Sequence, residues 1–210
     1  MTEQLNLFAE KPADFKLDIT NASAGAPKEY SLFFAIYPAL KDAQLIAHAI
    51  DALRRTHGLM GKPISPDRLH ISLQAVAKFQ SEVPQHVVDA ARAAAARVTC
   101  PSLLINFDRM SFYPNETKAA CVFHCDKDSA SRIAPLRVQL GGALRDSGLH
   151  PKPTSAPHMT MLYDKLTYPI EDPIDPIEWT ATRFVLVLSH VGASHHQWIG
   201  EWPLAGSSSI

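Results

Sequence analysis

The chain reads as a mixed helix-and-strand protein built from two similar lobes that face each other. Three observations predict this. Short aromatic and β-branched runs alternate with segments of helical spacing. The order strand, helix, strand occurs twice. Two unlike local patterns recur at near-constant separation, which is the mark of an internal duplication.

The elements follow in order. Residues 1 to about 28 show no periodicity and carry the turn formers Asn21, Ser23, Gly25 and Pro27, so they read as a flexible arm. Residues 29–206 read as one bilobal domain. The run Tyr30-Ser31-Leu32-Phe33-Phe34-Ala35-Ile36-Tyr37 is a buried strand that Pro38 ends. Helical spacing of Leu45, Ile46, Ala49, Ile50 and Leu53 predicts a helix over 40–53, stopped at Gly58. A strand over 69–76 follows, then an alanine-rich helix over 84–98 and a strand over 103–107. The second half repeats this order. Residues 119–125 form a strand. Ile133, Leu136, Leu140 and Leu144 stripe a helix that Gly148 stops, and strands over 159–162 and 184–190 complete it.

The duplication is visible residue by residue. Ala52-Leu53-Arg54-Arg55-Thr56-His57-Gly58-Leu59 parallels Ala143-Leu144-Arg145-Asp146-Ser147-Gly148-Leu149, and His70-Ile71-Ser72-Leu73 parallels His158-Met159-Thr160-Met161. The first pair lies 91 residues apart (52 to 143) and the second 88 (70 to 158). Two repeats are too few for a solenoid, so the copies are expected to face one another.

Composition narrows the partners. The 210 residues, 46% hydrophobic and 20% charged, suffice for a real core and exclude a disordered or collagenous chain. A net charge of −1 supplies no global field for duplex DNA or an anionic membrane. Three cysteines, Cys100, Cys121 and Cys125, fit a reducing compartment better than a disulfide framework. The first residues hold neither a basic stretch nor an apolar stretch of the secretory kind, and no apolar run is long enough to span a bilayer. The expectation is a soluble, cytoplasmic, monomeric protein. Proline, 16 of 210 residues, falls mostly at element boundaries, where a missing donor does least harm.

Ten histidines are the unusual feature. Residues i and i+2 of a strand share a face, so His70 sits with Ser72 and His158 with Thr160. Their neighbours Ile71, Leu73, Met159 and Met161 then point into the lobe cores. If the lobes are related by a pseudo-two-fold axis, two imidazoles and two hydroxyls converge on one cleft. Such a set suits a phosphodiester. One imidazole deprotonates water and the other protonates the leaving oxygen. The hydroxyls donate to the non-bridging oxygens. Each proton transfer has its own imidazole, so no metal or other cofactor is called for.

On these residues the chain resembles the two-histidine (2H) phosphoesterases, specifically the bacterial and archaeal RNA 2′,3′-cyclic phosphodiesterases, also called 2′-5′ RNA ligases. The resemblance covers about residues 30–204. It rests on Leu32-Phe33-Phe34-Ala35-Ile36, on Pro66-Asp67-Arg68-Leu69-His70-Ile71-Ser72-Leu73, on Pro157-His158-Met159-Thr160-Met161 and on Trp202-Pro203-Leu204. It implies an α+β, bilobal duplicated fold with two antiparallel-rich sheets, helices outside and a central cleft between pseudo-symmetric lobes. It also implies metal-independent hydrolysis of a 2′,3′-cyclic phosphate, on an RNA end or a small cyclic nucleotide, to a 2′-phosphomonoester. His158 is then the base for water and His70 the acid for the 3′-oxygen, with Ser72, Thr160 and Tyr163 against the substrate. The chain departs from the family at Ser31, where Arg is common, at Ser72, where Thr is usual, and at Tyr163, where Arg is common. Tyr163 forgoes a bidentate phosphate contact. It keeps the means to stack or to donate one hydrogen bond.

Other features carry less chemistry. Cys121, His124 and Cys125 lack a second ligand pair, and alternation sends His124 to the face opposite the two thiols. His195, His196 and Trp198 read as solvent-facing histidines beside a buried tryptophan, or as substrate contacts. Phe112 and Tyr113 stack a base or pack a turn. Lys62, Arg68, Lys78 and Lys152 are candidates for a local basic rim. In the arm, Gln4, Leu5, Leu7 and Phe8 resemble the peptide by which bacterial proteins dock on the replication sliding clamp. The competing functions are a non-catalytic nucleotide-binding or clamp-associated module, and 2′-5′ RNA ligation in the same cleft. Near-zero charge favours a short substrate.

Overall fold

A computed structural model describes residues 29–113, 118–152, 154–165, 171–193 and 195–205. The chain runs β1 (Tyr30–Ile36), α1 (Leu40–Thr56), a 3-10 turn (Pro66–Arg68), β2 (Ile71–Phe79), α2 (Gln85–Ala95), β3 (Leu103–Tyr113) and β4 (Ala119–Cys125). It continues through α3 (Lys127–Asp146), β5 (His158–Asp164), β6 (Glu171–Ala181), β7 (Arg183–His190) and β8 (His195–Pro203). No helix among the described residues is long and apolar enough to cross a membrane. The arm residues Gln4, Leu5, Leu7 and Phe8 lie outside the described residues.

The class is α+β, with antiparallel strands in the order β6-β3-β4-β5-β2-β1-β7-β8. That order is palindromic when β1 is exchanged for β4, β2 for β5, β7 for β3 and β8 for β6. The helices obey the same exchange, since α1 joins β1 to β2 and α3 joins β4 to β5. Even the helix ends match. Gly58 (φ 63°) and Gly148 (φ 77°) take the left-handed conformation. Leu59 N–H then reaches back to the Arg54 carbonyl at 2.9 Å and Leu149 N–H to the Leu144 carbonyl at 3.0 Å.

The expected two sheets are joined into one. β2 and β5 would be bare inner edges if the lobes stood apart, and an unpaired edge leaves its amides and carbonyls without partners. They meet at one register pair, Ile71 with Met159. Exchanged straps widen the seam. Pro63 bridges to Leu162, and Ile64 N–H donates to the Met161 carbonyl at 2.7 Å. In the other half Lys152 bridges to Ala75, and the Gln74 amide donates to the Lys152 carbonyl at 2.5 Å. Asp164 holds the first strap, accepting the Met60 and Gly61 N–H groups at 2.7 Å each.

The sequence reading misses two strands, β6 and β8, and both are sheet edges. β6 carries Pro173 and Pro176, which break an alternation pattern; an edge tolerates them because one side of the strand needs no donors. The remaining boundaries shift by a few residues. β3 runs on to Tyr113, α3 begins at Lys127 where Asp126 caps the Ser129 N–H at 2.7 Å, and β2 begins just after His70.

One face of the sheet meets all three helices in a single core that includes Leu32, Phe34, Ile71, Leu73, Phe123, Met159, Ile50, Val88 and Leu136. The motif neighbours Ile71, Leu73, Met159 and Met161 are all buried there, as alternation requires. The other face carries a small separate apolar cluster of Phe33, Ala35, Tyr37, Val185 and Val187, to which no helix contributes. The sequence-derived site residues occupy this helix-free face.

Candidate active site at the seam

The Ile71–Met159 pair lies on the pseudo-two-fold axis. Antiparallel register across it sets His70 against Thr160 and Ser72 against His158. The two histidines are thus diagonal neighbours, which in a regular ladder stand about 7–8 Å apart. Sequence and topology together bring His70, His158, Ser72 and Thr160 to one place. Tyr163 joins them through a β-bulge. Thr160 pairs with Val122 but Leu162 with Cys121 and Tyr163 with Ala120, so one extra residue turns Tyr163 to the Thr160 face, where it is 48% exposed.

Both imidazoles are anchored in the same way. His70 Nδ1 donates to the Arg68 carbonyl at 2.7 Å, and His158 Nδ1 to the Ala156 carbonyl at 2.8 Å. Each bond runs to the residue two positions upstream. A proton on Nδ1 leaves Nε2 as the free lone pair of the neutral ring. The duplication therefore extends to the tautomer, and either Nε2 is equipped to take up or release a proton.

The surroundings of the two rings differ. Tyr37 stacks on His70 at 5.3 Å and 24°, Phe33 lies 5.4 Å away, and His196 meets it edge-on at 5.2 Å. Burial pushes the His70 imidazole down to about 4, against the opposing pull of its bond to Arg68; the charges of Arg68 and His158 lower it further. His196 falls to about 4 for the same leading reason. The Tyr37 hydroxyl bonds His196 Nδ1 at 2.9 Å, and burial raises its own pKa. His158 instead meets the edge of Tyr113 at 5.1 Å. Beside it on β4 stands His124, whose Nε2 bonds the Ser111 hydroxyl at 2.6 Å. Burial lowers the His124 pKa, helped by the nearby Arg109, which pairs with Glu171 at 3.0 Å.

The plainer reading of the C-terminal segment holds for His195, which is exposed, and is corrected for His196 and Trp198. Trp198 is 39% exposed, and His196 is half-buried, because strand alternation turns both to the helix-free face beside Tyr37. Of Phe112 and Tyr113 only Tyr113 reaches the site; Phe112 is in the core. Cys121 and Cys125 are buried on the helix side, their thiols pushed up to about 12 by burial. Lys78 is committed to Glu29 at 3.1 Å. Sequence reasoning overlooked Tyr37 and Phe33 as neighbours of His70. Their i, i+4 spacing, from Phe33 in β1 to Tyr37 just past its end, was the available signal, since extended chain keeps such residues on one face. Ser111 and His124 gave no such signal, because their pairing depends on the β3–β4 register.

No family model and no curated protein matches this sequence. Solved structures do match in fold. LigT of E. coli in its apo form superposes with TM-score 0.66 at 20% identity, over 84% of this chain and 98% of that one. LigT of E. coli complexed with 3′-AMP gives 0.64 at 19% identity, over 84% and 98%. A protein of Thermus thermophilus gives 0.58 at 20% identity, over 84% and 99%. The palindromic strand order, the central motif pair and these superpositions agree: the chain has the LigT fold, the architecture implied by its resemblance to the two-histidine phosphoesterases.

Proposed function

We propose that the protein hydrolyses 2′,3′-cyclic phosphodiesters, on RNA ends or small cyclic nucleotides, to 2′-phosphomonoesters. The observation that carries this reading is the pair of imidazoles at the seam, each held through Nδ1 with Nε2 left free. His158 accepts a proton from water as the water oxygen bonds to phosphorus. The P–O3′ bond breaks, and His70 delivers a proton to the departing 3′-oxygen. Ser72 and Thr160 donate to the non-bridging oxygens, where negative charge builds in the transition state. Tyr163 contacts the substrate from the same face.

Burial makes His70 neutral in the free protein at neutral pH. An anionic phosphate beside Nε2 favours the imidazolium and offsets the burial, so the substrate itself charges the acid. kcat/KM, which reports the free protein, is then bell-shaped in pH, since one imidazole must be protonated and the other neutral, and one limb lies near 4 where His70 titrates. The decisive assay follows 2′,3′-cyclic AMP to product by phosphorus NMR, with and without a chelator. Turnover to the 2′-phosphate is expected in both. A His70→Ala/His158→Ala double variant as fast as the native protein would overturn the proposal. A product joined through a 2′-5′ linkage would turn it toward ligation.

A further inference from the structure

The two halves of the site share only one register pair, and beyond it β2 and β5 part company. Carbonyls on either side of that gap have no opposing strand to receive them. Arg137, on α3, fills the gap. Its Nη2 donates to the Ser72 carbonyl at 2.6 Å and its Nη1 to the Ser155 carbonyl at 2.7 Å. Both distances are short, as expected when the donor is charged.

The two acceptors belong to different copies of the duplicated motif. Ser72 is the hydroxyl residue of the first. Ser155 immediately precedes Ala156, whose carbonyl orients the His158 ring, and the Ser155 hydroxyl itself lies 3.5 Å from His158 Nδ1. One planar guanidinium thus grips the strand of the first motif and the turn that aims the second imidazole. Leu136, its neighbour on α3, is fully buried, which seats the helix firmly beneath the seam. Among the described residues no carboxylate pairs with Arg137. Its contacts here are backbone carbonyls.

We infer that Arg137 is a positioning residue that fixes the separation and aim of His70 and His158 across the seam. The inference rests on the two-imidazole reading of the site. Lysine does not replace it, since an ammonium is a point donor and the two carbonyls need a fork. A small displacement of reacting groups costs about 100-fold in rate. The loss belongs in kcat, because Arg137 binds backbone and not substrate.

The experiment compares Arg137→Ala and Arg137→Lys with the native full chain on 2′,3′-cyclic AMP. Arg137→Ala is expected to lose about 100-fold in kcat with KM nearly unchanged. Arg137→Lys should lose most of that despite keeping its charge. Guanidinium ion added to Arg137→Ala should restore kcat. Wild-type kcat in Arg137→Lys, or a loss confined to KM, would overturn the inference. So would guanidinium that raises the melting temperature without raising kcat. Should Arg137→Ala fail to fold, Arg137→Lys carries the test. A second readout is independent of turnover: imidazole nitrogen shifts of His70 and His158 by NMR. Both sets are expected to move in Arg137→Lys, and unmoved signals overturn the inference even if the native protein hydrolyses its substrate. If the native protein hydrolyses no cyclic phosphate yet both signals move, the functional reading fails and the positioning role stands.

Discussion

The walls on either side of the seam share a backbone plan and differ in chemistry. On the β1–β2 side His70 lies among Tyr37, Phe33 and His196. On the β4–β5 side His158 lies near Tyr113, with His124, Ser111 and the Arg109–Glu171 pair beyond. Duplication preserved what each imidazole needs from its own strand, namely a carbonyl two residues upstream. It did not preserve what the neighbouring strands supply. Proton affinity follows the neighbours: apolar rings cannot solvate an imidazolium, so His70 resists protonation, and its burial is the leading cause. Two copies of one motif thereby come to lie in unlike surroundings.

The comparison is broken most severely by removing one ring at a time. His70→Ala and His158→Ala are each expected to lower kcat by roughly 10²–10⁴-fold. A loss in one variant only would mean that one wall does the chemistry alone. The straps give the next largest effect, measured by urea denaturation. Asp164→Asn weakens the acceptor of two strap amides, at about 1.5–3 kcal/mol for bonds to a charged group. Gln74→Leu, at the equivalent strap, costs about 1 kcal/mol, as it removes a neutral donor. Equal losses would show that the straps are equivalent in energy as well as in place. Gly61→Ala belongs with the larger class, since its new Cβ would collide with the Tyr163 carbonyl, costing about 1–3 kcal/mol.

Tyr37→Phe deletes the bond to His196 and costs about 1 kcal/mol, as much as Gln74→Leu. The pH dependence sharpens the same contrast. His70 and His196 titrate near 4 in the fold against 6.5 for an unperturbed ring. Between those values the unfolded chain binds more protons, so their contribution is complete above about pH 6.5 and is lost as pH falls toward 4. The urea midpoint of His196→Asn should fall less steeply than that of the native protein over this window. Parallel slopes would remove His196 from the account.

The sequence by itself determined the duplication, the two histidine motifs and their face-sharing hydroxyls. These are local facts: strand alternation, a glycine that must end a helix, and a repeated order of elements. It also contained Tyr37 and Trp198, but not their partners. The tertiary structure decided that the lobes fuse into one sheet, because two bare inner edges are worse than a seam with a single register pair. It decided that β6 and β8 are strands, because an edge tolerates prolines and histidines that no periodicity announces. Register chose the company of each imidazole, and so the burial that lowers the His70 pKa. It also set Arg137, which flanks the apolar stripe of α3, between two carbonyls 83 residues apart in the chain (72 to 155). Contacts of that sequence separation depend on how the two lobes close on one another, which no local pattern encodes.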